Sequence, residues 1–547
     1  MIENAIHFGL YYLHNLQDEF ERSMMKVAKT WKRAAAALLA ALMVSATMSA
    51  CGGDSNTSES SASGAGSDTS GTSSTTETSE TSSTDTGEVV TLKVWGFTNA
   101  SPDTNEMNAV ADAVNELTRD TIGVEIELTR SFDYETLNLA LTSGEKLDLV
   151  QTHSYSPGLA TMVTSGYVQP IDDLLSEYGQ DILEIVPEGY LKVGKVNGQQ
   201  YGTPDLKDTA RSAGFAMRSD VLDELGIDPE TITTWDDVHD VLVQVRDNYP
   251  DLYPLVPSWS GGGMQEVLTY DALTVPNNLA VLEDVFTDST EVVCLYETDA
   301  YREFCERMYQ WNQEGLIMPD ATTTTDNNLM ASVGFADYEN IKPGKELEIK
   351  KAWNIDCDLI QLNEPYTYTN QIIGDLWVIP TVCEDPAKAM QLLNMMYSDA
   401  ELSNTLINGV EGRHWEWANE EKTLIKAPEG VDQASSGYES LDWAWPNCRI
   451  TPVWEGGEED QWDQLQEFCD AAHESVALGF VFDTTPVMNQ ITACGNVVNE
   501  YNVALRWGEL NPDEAIPEFI DALKSAGVDD IVAECQSQLD AYLAENG

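Results

Sequence analysis

Basic residues are scarce: 28 Lys and Arg stand against 93 Asp and Glu, a formal net charge of -65. Such a chain repels phosphate backbones and anionic headgroups, which excludes nucleic acid as a partner. The same field disfavours an anionic ligand. Most of the charge reads as a solvated surface that keeps the protein soluble. No H-E-x-x-H, G-x-S-x-G, Walker-type loop or G-x-G-x-x-G occurs, so the common signatures of metal, nucleophile and nucleotide chemistry are missing. Of six histidines, His7 and His14 lie near the start, and His153, His239, His414 and His473 are too scattered to nominate a metal site. No catalytic residue, metal or cofactor is therefore assigned. Paired carboxylates for glycoside cleavage carry no information here, because among 93 acids some pair always lies close. No two of the nine cysteines have C-x-x-C spacing. Beyond Cys51 they read first as small buried hydrophobes, as with Cys305 in the helical run Tyr301 to Trp311 and Cys535 near the end, and second as disulfides.

What is present begins with an address. Lys26, Lys29, Lys32 and Arg33 precede an apolar stretch, Ala34 to Ala50, that ends in small residues, the order of a secretory signal. Dominated by alanine and barely long enough to span a bilayer, it does not read as a stable transmembrane helix. Met48-Ser49-Ala50-Cys51 resembles a bacterial lipobox, with Met where Leu is more usual. That resemblance implies cleavage before Cys51 and a diacylglyceryl group on its thiol, an anchor of the strength two signals give. Gly52 to Glu88, almost entirely Ser, Thr, Gly, Asp and Glu, cannot bury enough apolar surface to offset its ordering entropy and reads as a tether. The expected divisions are a non-native extension over 1–23, a signal peptide over 24–50 and a disordered tether over 51–88.

At 547 residues, the chain is long enough for at least two folded units after any targeting segment is removed. Val89 to Phe97 alternates and is β-branched, which predicts a first strand. Met107, Val110, Ala111, Val114 and Leu117 share one face of a helix over Asn105 to Arg119. A strand over Val124 to Thr129, a helix over Tyr134 to Ser143 and a strand over Leu147 to Thr152 follow, a βαβ alternation that argues for a parallel sheet. Ligands of such sheets lie beyond the carboxyl ends of the strands, where strand order reverses. That places Trp95, Gly96, His153 to Tyr155 and Trp259 at candidate positions.

Leu147 to Thr152, LATMVTSGYVQP over Leu159 to Pro170 with Ile171 to Leu174, and KVNGQQYGTP over Lys195 to Pro204 resemble the family 1 extracellular solute-binding proteins of bacterial ABC importers. So do Gly214 to Arg218 and the helix, Thr-Trp turn and helix of Val221 to Val245. Asp385 to Asp399, GVEGRHWEW over Gly409 to Trp417, GFVFDTTPV over Gly479 to Val487, Asn496 to Leu505 and Ala526 to Leu539 are similar to the LplA/LipO-like lipoprotein subfamily, which carries a C-terminal domain of unknown function. The resemblance covers nearly everything after the tether. It implies an α/β, two-lobed periplasmic-binding-protein-like fold of type II with a hinge and an interlobe cleft, lobe one over 89–203 and 372–412, and lobe two over 204–371 and 413–547. It implies a protein on the extracytoplasmic face of the cell membrane, held there only by its lipid, acting as a monomer that takes a small-molecule solute, an oligosaccharide first and a peptide second, to the transmembrane subunits of an ABC permease. A secreted carbohydrate-active enzyme and an accessory to a sensor kinase are the alternatives.

Of 14 tryptophans, Trp95, Trp259, Trp353, Trp377, Trp415, Trp417, Trp443, Trp445 and Trp454 fall mostly in turn-like or strand-end segments. Sugar rings stack C–H faces on indole, while their hydroxyls need polar partners. The expected ligand-binding residues are Trp95, Tyr155, Asp205, Trp259, Trp353, Trp377, Glu411, Arg413, Trp443 and Trp445. The competing readings are that several tryptophans fill lobe cores and that Arg413 and its acidic neighbour form an internal ion pair.

Overall fold

The computed structural model describes residues 89–99, 103–153, 158–257, 267–275, 277–324, 327–431 and 436–546. Tyr155, Trp259, Cys51 and the signal and tether segments lie outside the described residues. In chain order the main elements are β1 (Val90–Gly96), α1 (Thr104–Ile122), β2 (Val124–Arg130), α2 (Tyr134–Ser143), β3 (Leu149–Gln151), β4 (Gly202–Pro204), β5 (Ser212–Arg218), α3 (Trp235–Asn248), β6 (Tyr253–Leu255), α4 (Asp299–Gln313), β7 (Gly334–Ile341), α5 (Lys345–Trp353), β8 (Cys357–Gln361), β9 (Leu376–Val378), α6 (Pro386–Ser398), α7 (Ala400–Asn408), α8 (Met488–Arg506), α9 (Pro512–Ala526) and α10 (Val528–Asn546).

Two sheets carry the two lobes. The first has the order β2-β1-β3-β9-β4. β1 runs parallel to β2 from Val90 opposite Val124 to Gly96 opposite Arg130, and parallel to β3 on its other side. β9 lies antiparallel between β3 and β4. The chain thus adds β2 on one flank of β1 and β3 on the other, so strand order reverses between β1 and β3. α1 begins where the Asp103 side chain accepts from the N–H of Asn105, and it buries Val110, Ala111, Val114 and Thr118 on one face, as the 3.6-residue pattern predicts.

The second sheet has the order β8-β5-β7-β6, with β5 antiparallel to β7 and β8, and β6 parallel to β7. Its helix α3 starts at a capping box in which Thr234 and Asp237 satisfy each other's backbone N–H groups. The three C-terminal helices do not stand alone: Cys494, Leu505, Phe519, Leu523, Ile531 and Leu539 join the same buried cluster as Phe215, Leu242, Phe304 and Phe335. A separate cluster of Leu92, Val114, Leu149, Leu376, Met390 and Leu406 forms the core of the first lobe.

One boundary differs from expectation. Tyr438, Leu441, Ala444, Trp445 and Cys448, assigned above to the second lobe, belong to the core of the first. The cause is packing: Trp445 stacks on Trp377 of β9 with ring centroids 5.4 Å apart, and Arg130 at the end of β2 lies over the ring of Tyr438 at 4.6 Å. All eight cysteines within the described residues are free and buried, in line with the first of the two readings.

Candidate functional site

Rings cluster at the strand-order reversal, the position where open α/β sheets form their ligand crevice. Phe97 follows β1 and His153 follows β3, and their rings stack 4.5 Å apart at 18°. Tyr134, at the start of α2, extends the stack, 6.2 Å from Phe97 and 6.1 Å from His153 at 12° and 15°. Trp443 leans over both, 5.2 Å from Phe97 and 5.7 Å from His153. Phe97 is buried beneath the group, while Tyr134, His153 and Trp443 are half-buried. Four rings from four distant segments meet because three of them sit just past the carboxyl ends of parallel strands, where the backbone leaves the sheet and side chains turn to the crevice.

Beside the rings lies a buried polar set. Asp375, just before β9, has Oδ1 2.5 Å from Nδ1 of His153, and its Oδ2 pairs with the ammonium of Lys207. Burial opposes the Asp375 charge, but Lys207 and His153 outweigh it and hold the carboxyl below its usual range. Burial likewise opposes the charge of Lys207, and Asp375 with Asp208 overcome it, pushing the ammonium up to about 12. The Lys207 Nζ also lies 5.4 Å from the ring of Trp443, a cation–π contact. Asp205 behaves differently. Burial, then the Asp375 charge, raise its carboxyl well above the usual value, although Gln151 Nε2 donates to it at 3.1 Å. The other end of Gln151 accepts from the N–H of Phe97 at 2.9 Å, which ties the acid to the ring stack. Asp208 pairs with Lys342 at 3.2 Å, and Lys342 with Glu348 of α5 at 2.6 Å, so the segment after β4 is linked to the second lobe by charge.

The structure separates the residues expected to bind ligand. Trp443 and Asp205 stand in or beside the crevice group. Trp95, Trp377 and Trp445 do not: they are 8%, 0% and 1% exposed, inside the first lobe's core. β1, β3 and β9 are each paired on both edges, and core packing closes over Trp95 and Trp377; of the residues that follow these strands, His153 is half-buried, while Phe97, 5% exposed, is itself part of the core. Trp353 ends α5 and packs with Ile349 and Cys357 in the second lobe. Arg413 does make an ion pair, but with Glu106 of α1 rather than with its neighbour Glu411: Nε and Nη2 meet the two carboxyl oxygens at 2.5 and 2.8 Å, and His414 Nε2 reaches the same carboxylate at 3.0 Å. Gly409 fixes this turn at φ 84°, and a Cβ there would lie 2.4 Å from His414 Nδ1. Glu411 is exposed and lines a different hollow. The ligand-site expectation missed Phe97, Tyr134, Lys207, Asp375 and Gln151. The strand-end rule applied one residue beyond Gly96 would have found Phe97; nothing in the sequence marks Asp375 as the partner of Lys207.

A sequence profile of bacterial extracellular solute-binding proteins matches residues 112–407, more than half the chain, and a domain of unknown function (DUF3502) matches residues 476–544. A carbohydrate ABC transporter substrate-binding protein of Streptococcus pneumoniae serotype 4 is 25% identical over 534 residues, 94% of this chain and 99% of that protein. Among solved structures, the N-glycan transport solute binding protein NgtS from Streptococcus pneumoniae superposes with a TM-score of 0.75 at 23% identity, covering 84% of this chain and 100% of that one. The alginate-binding protein AlgQ2 without calcium ion superposes with a TM-score of 0.56 at 16% identity, covering 83% and 98%. The two-lobed α/β architecture and the matched profile agree: this chain belongs to the bacterial extracellular solute-binding protein family.

Proposed function

We propose that this protein captures an oligosaccharide against the half-buried Tyr134, His153 and Trp443 rings, supported from beneath by Phe97, and delivers it unaltered to the permease of an ABC importer, while a lipid on Cys51 holds it to the outer face of the membrane. The observation that carries the reading is the ring surface at the strand-order reversal, set beside Lys207, Asp375 and Asp205. Aromatic ring faces suit the C–H faces of sugars, while an ammonium and carboxyl groups offer donors and acceptors to hydroxyls. Relatives lend support. The matched curated protein is named for carbohydrate transport, and NgtS has been solved with Man1GlcNAc and with Man5GlcNAc. The net charge of -65 favours a neutral glycan over an anionic one.

Capture works by population shift: a ligand that touches both lobes binds the closed arrangement better than the open one and draws the protein toward it. The test is a thermal-shift screen of the mature protein with high-mannose glycans, fructo-oligosaccharides, malto-oligosaccharides and tripeptides, with mass spectrometry of the recovered ligand. A glycan that raises the melting temperature and returns intact supports the reading. A shift from peptides alone, or a cleaved glycan, refutes it.

A further inference from the structure

A groove of about 770 Å³ lies apart from the crevice group, between the middle of α1, the first turns of α7 and a small sheet of Glu416–Trp417, Leu424–Lys426 and Val453–Trp454. None of Phe97, Tyr134, His153, Lys207, Asp375 or Trp443 lines it. Its size falls within the range of about 300–1,000 Å³ common to small-molecule sites. Trp415, Trp417 and Trp462 form its aromatic lining. The indole N–H of Trp415 donates to the Gly409 carbonyl at 2.8 Å, and that of Trp462 to the Thr451 carbonyl at 2.7 Å, so both rings are held in place by the protein itself. Trp417 stands at 84° to the buried Trp415 with centroids 4.9 Å apart, so Trp415 braces the half-buried Trp417 ring edge-on.

Polar groups interleave with these rings. Asn404 of α7 is 7% exposed and held by Asn408, whose Nδ2 donates to its Oδ1 at 2.7 Å. Glu116 of α1 supplies a carboxylate, and Lys422, with Nζ 5.4 Å from the ring of Trp417, supplies a donor. An apolar ligand would strand these polar groups, and a free anion would meet carboxylates. A neutral sugar satisfies both requirements, with C–H faces on indole and hydroxyls on the amide, carboxylate and ammonium. We propose that this groove is a second carbohydrate-binding site, taking a short neutral oligosaccharide whether or not the crevice is filled.

The experiment uses full-length protein labelled with 5-fluorotryptophan, titrated separately with maltotriose, mannotriose, chitotriose and a tripeptide rich in arginine. The Trp417 fluorine resonance is identified by its loss in Trp417→Phe. One of the sugars should move that resonance saturably, both in the native sequence and in a Phe97→Ala, Trp443→Ala double variant whose crevice is impaired. Glu116→Gln should weaken the response about tenfold or more, as expected for one hydrogen bond to a charged acceptor, and leave the crevice-dependent thermal shift unchanged. The inference is overturned if no sugar moves the resonance, if only the peptide does, if the response vanishes with the crevice variant, or if Glu116→Gln changes nothing. A Trp417 response without any crevice binding would sink the proposed function and leave this site standing; crevice binding without a Trp417 response would do the reverse.

Discussion

The rings of Phe97 and His153 lie parallel to within 18° and 4.5 Å apart, across the gap where the first lobe's sheet reverses its strand order. One residue follows β1, the other follows β3, and neither is next to the other in the chain. Their stacking joins the ends of two strands that lie 54 residues or more apart in the chain, with Phe97 buried beneath the half-buried His153.

Phe97→Ala is expected to weaken glycan binding by about tenfold or more, equivalent to roughly 1.4 kcal/mol, because it removes the ring beneath both His153 and Trp443. Isothermal titration of native and variant protein with the glycan found by screening measures this directly; an unchanged Kd would remove Phe97 from the site.

Phe97→Ala should also lower stability, because the ring is 5% exposed in the first lobe's core, whereas Trp95→Ala and Trp377→Ala should act on stability alone. Both side chains lie in the first lobe's core, where truncating a tryptophan costs about 3–5 kcal/mol. Denaturant unfolding of the unliganded protein should show the loss, with far smaller effects from Trp443→Ala, whose ring is only half-buried.

Asp375→Asn leaves the Lys207 ammonium without its main partner, and removing one member of a buried pair costs about 3–5 kcal/mol. The pair's pH window follows from its two shifts. Asp375 is held below the usual value of 3.8, so its contribution is complete above that pH and is lost as the pH falls through the lower folded value. Lys207 is raised from 10.5 to about 12, so its contribution is complete below 10.5 and is lost as the pH rises toward 12. The destabilisation by Asp375→Asn should therefore be flat from pH 5 to pH 9, which urea titrations at several pH values would check.

Asp271 runs the opposite way. Fully buried, it has its carboxyl pushed from 3.8 up to about 6 by burial, although Ser475 Oγ donates to it at 2.6 Å. The folded state thus holds this proton more tightly than the unfolded one, and stability falls as the pH rises from 3.8 to about 6, by about 3 kcal/mol in total. Asp271→Asn should raise stability at pH 7 and reduce the slope between pH 4 and 6; a variant less stable at pH 7 would show that the buried charge is compensated.

The eight buried thiols should be unreactive until the protein unfolds. Burial pushes Cys294, Cys305, Cys357, Cys383 and Cys535 up to about 12, so little thiolate is present at neutral pH. Thiol counting on a Cys51→Ser variant with an aromatic disulfide reagent should detect all eight in denaturant and almost none without it; fewer than eight in denaturant would mean that some are paired.

The sequence by itself determined the elements. Periodicity located α1 and α2, and alternation located β1 and β2 to within a residue or two, because local burial patterns repeat with the geometry of the helix and the strand. It also carried the ordered series of segments that marks the family. It did not decide which aromatic side chains are core and which are surface. Trp95, Trp377, Trp443 and Trp445 read alike in the sequence as turn-like or strand-end tryptophans, yet only Trp443 joins the crevice group, because burial depends on what other strands and helices lie against each ring. Nor could it pair Lys207 with Asp375, or Arg413 with Glu106, residues whose separation along the chain says nothing about distance in space. Tertiary structure alone made those choices: a charge buried among apolar neighbours is tolerated only where folding brings its counter-charge within reach.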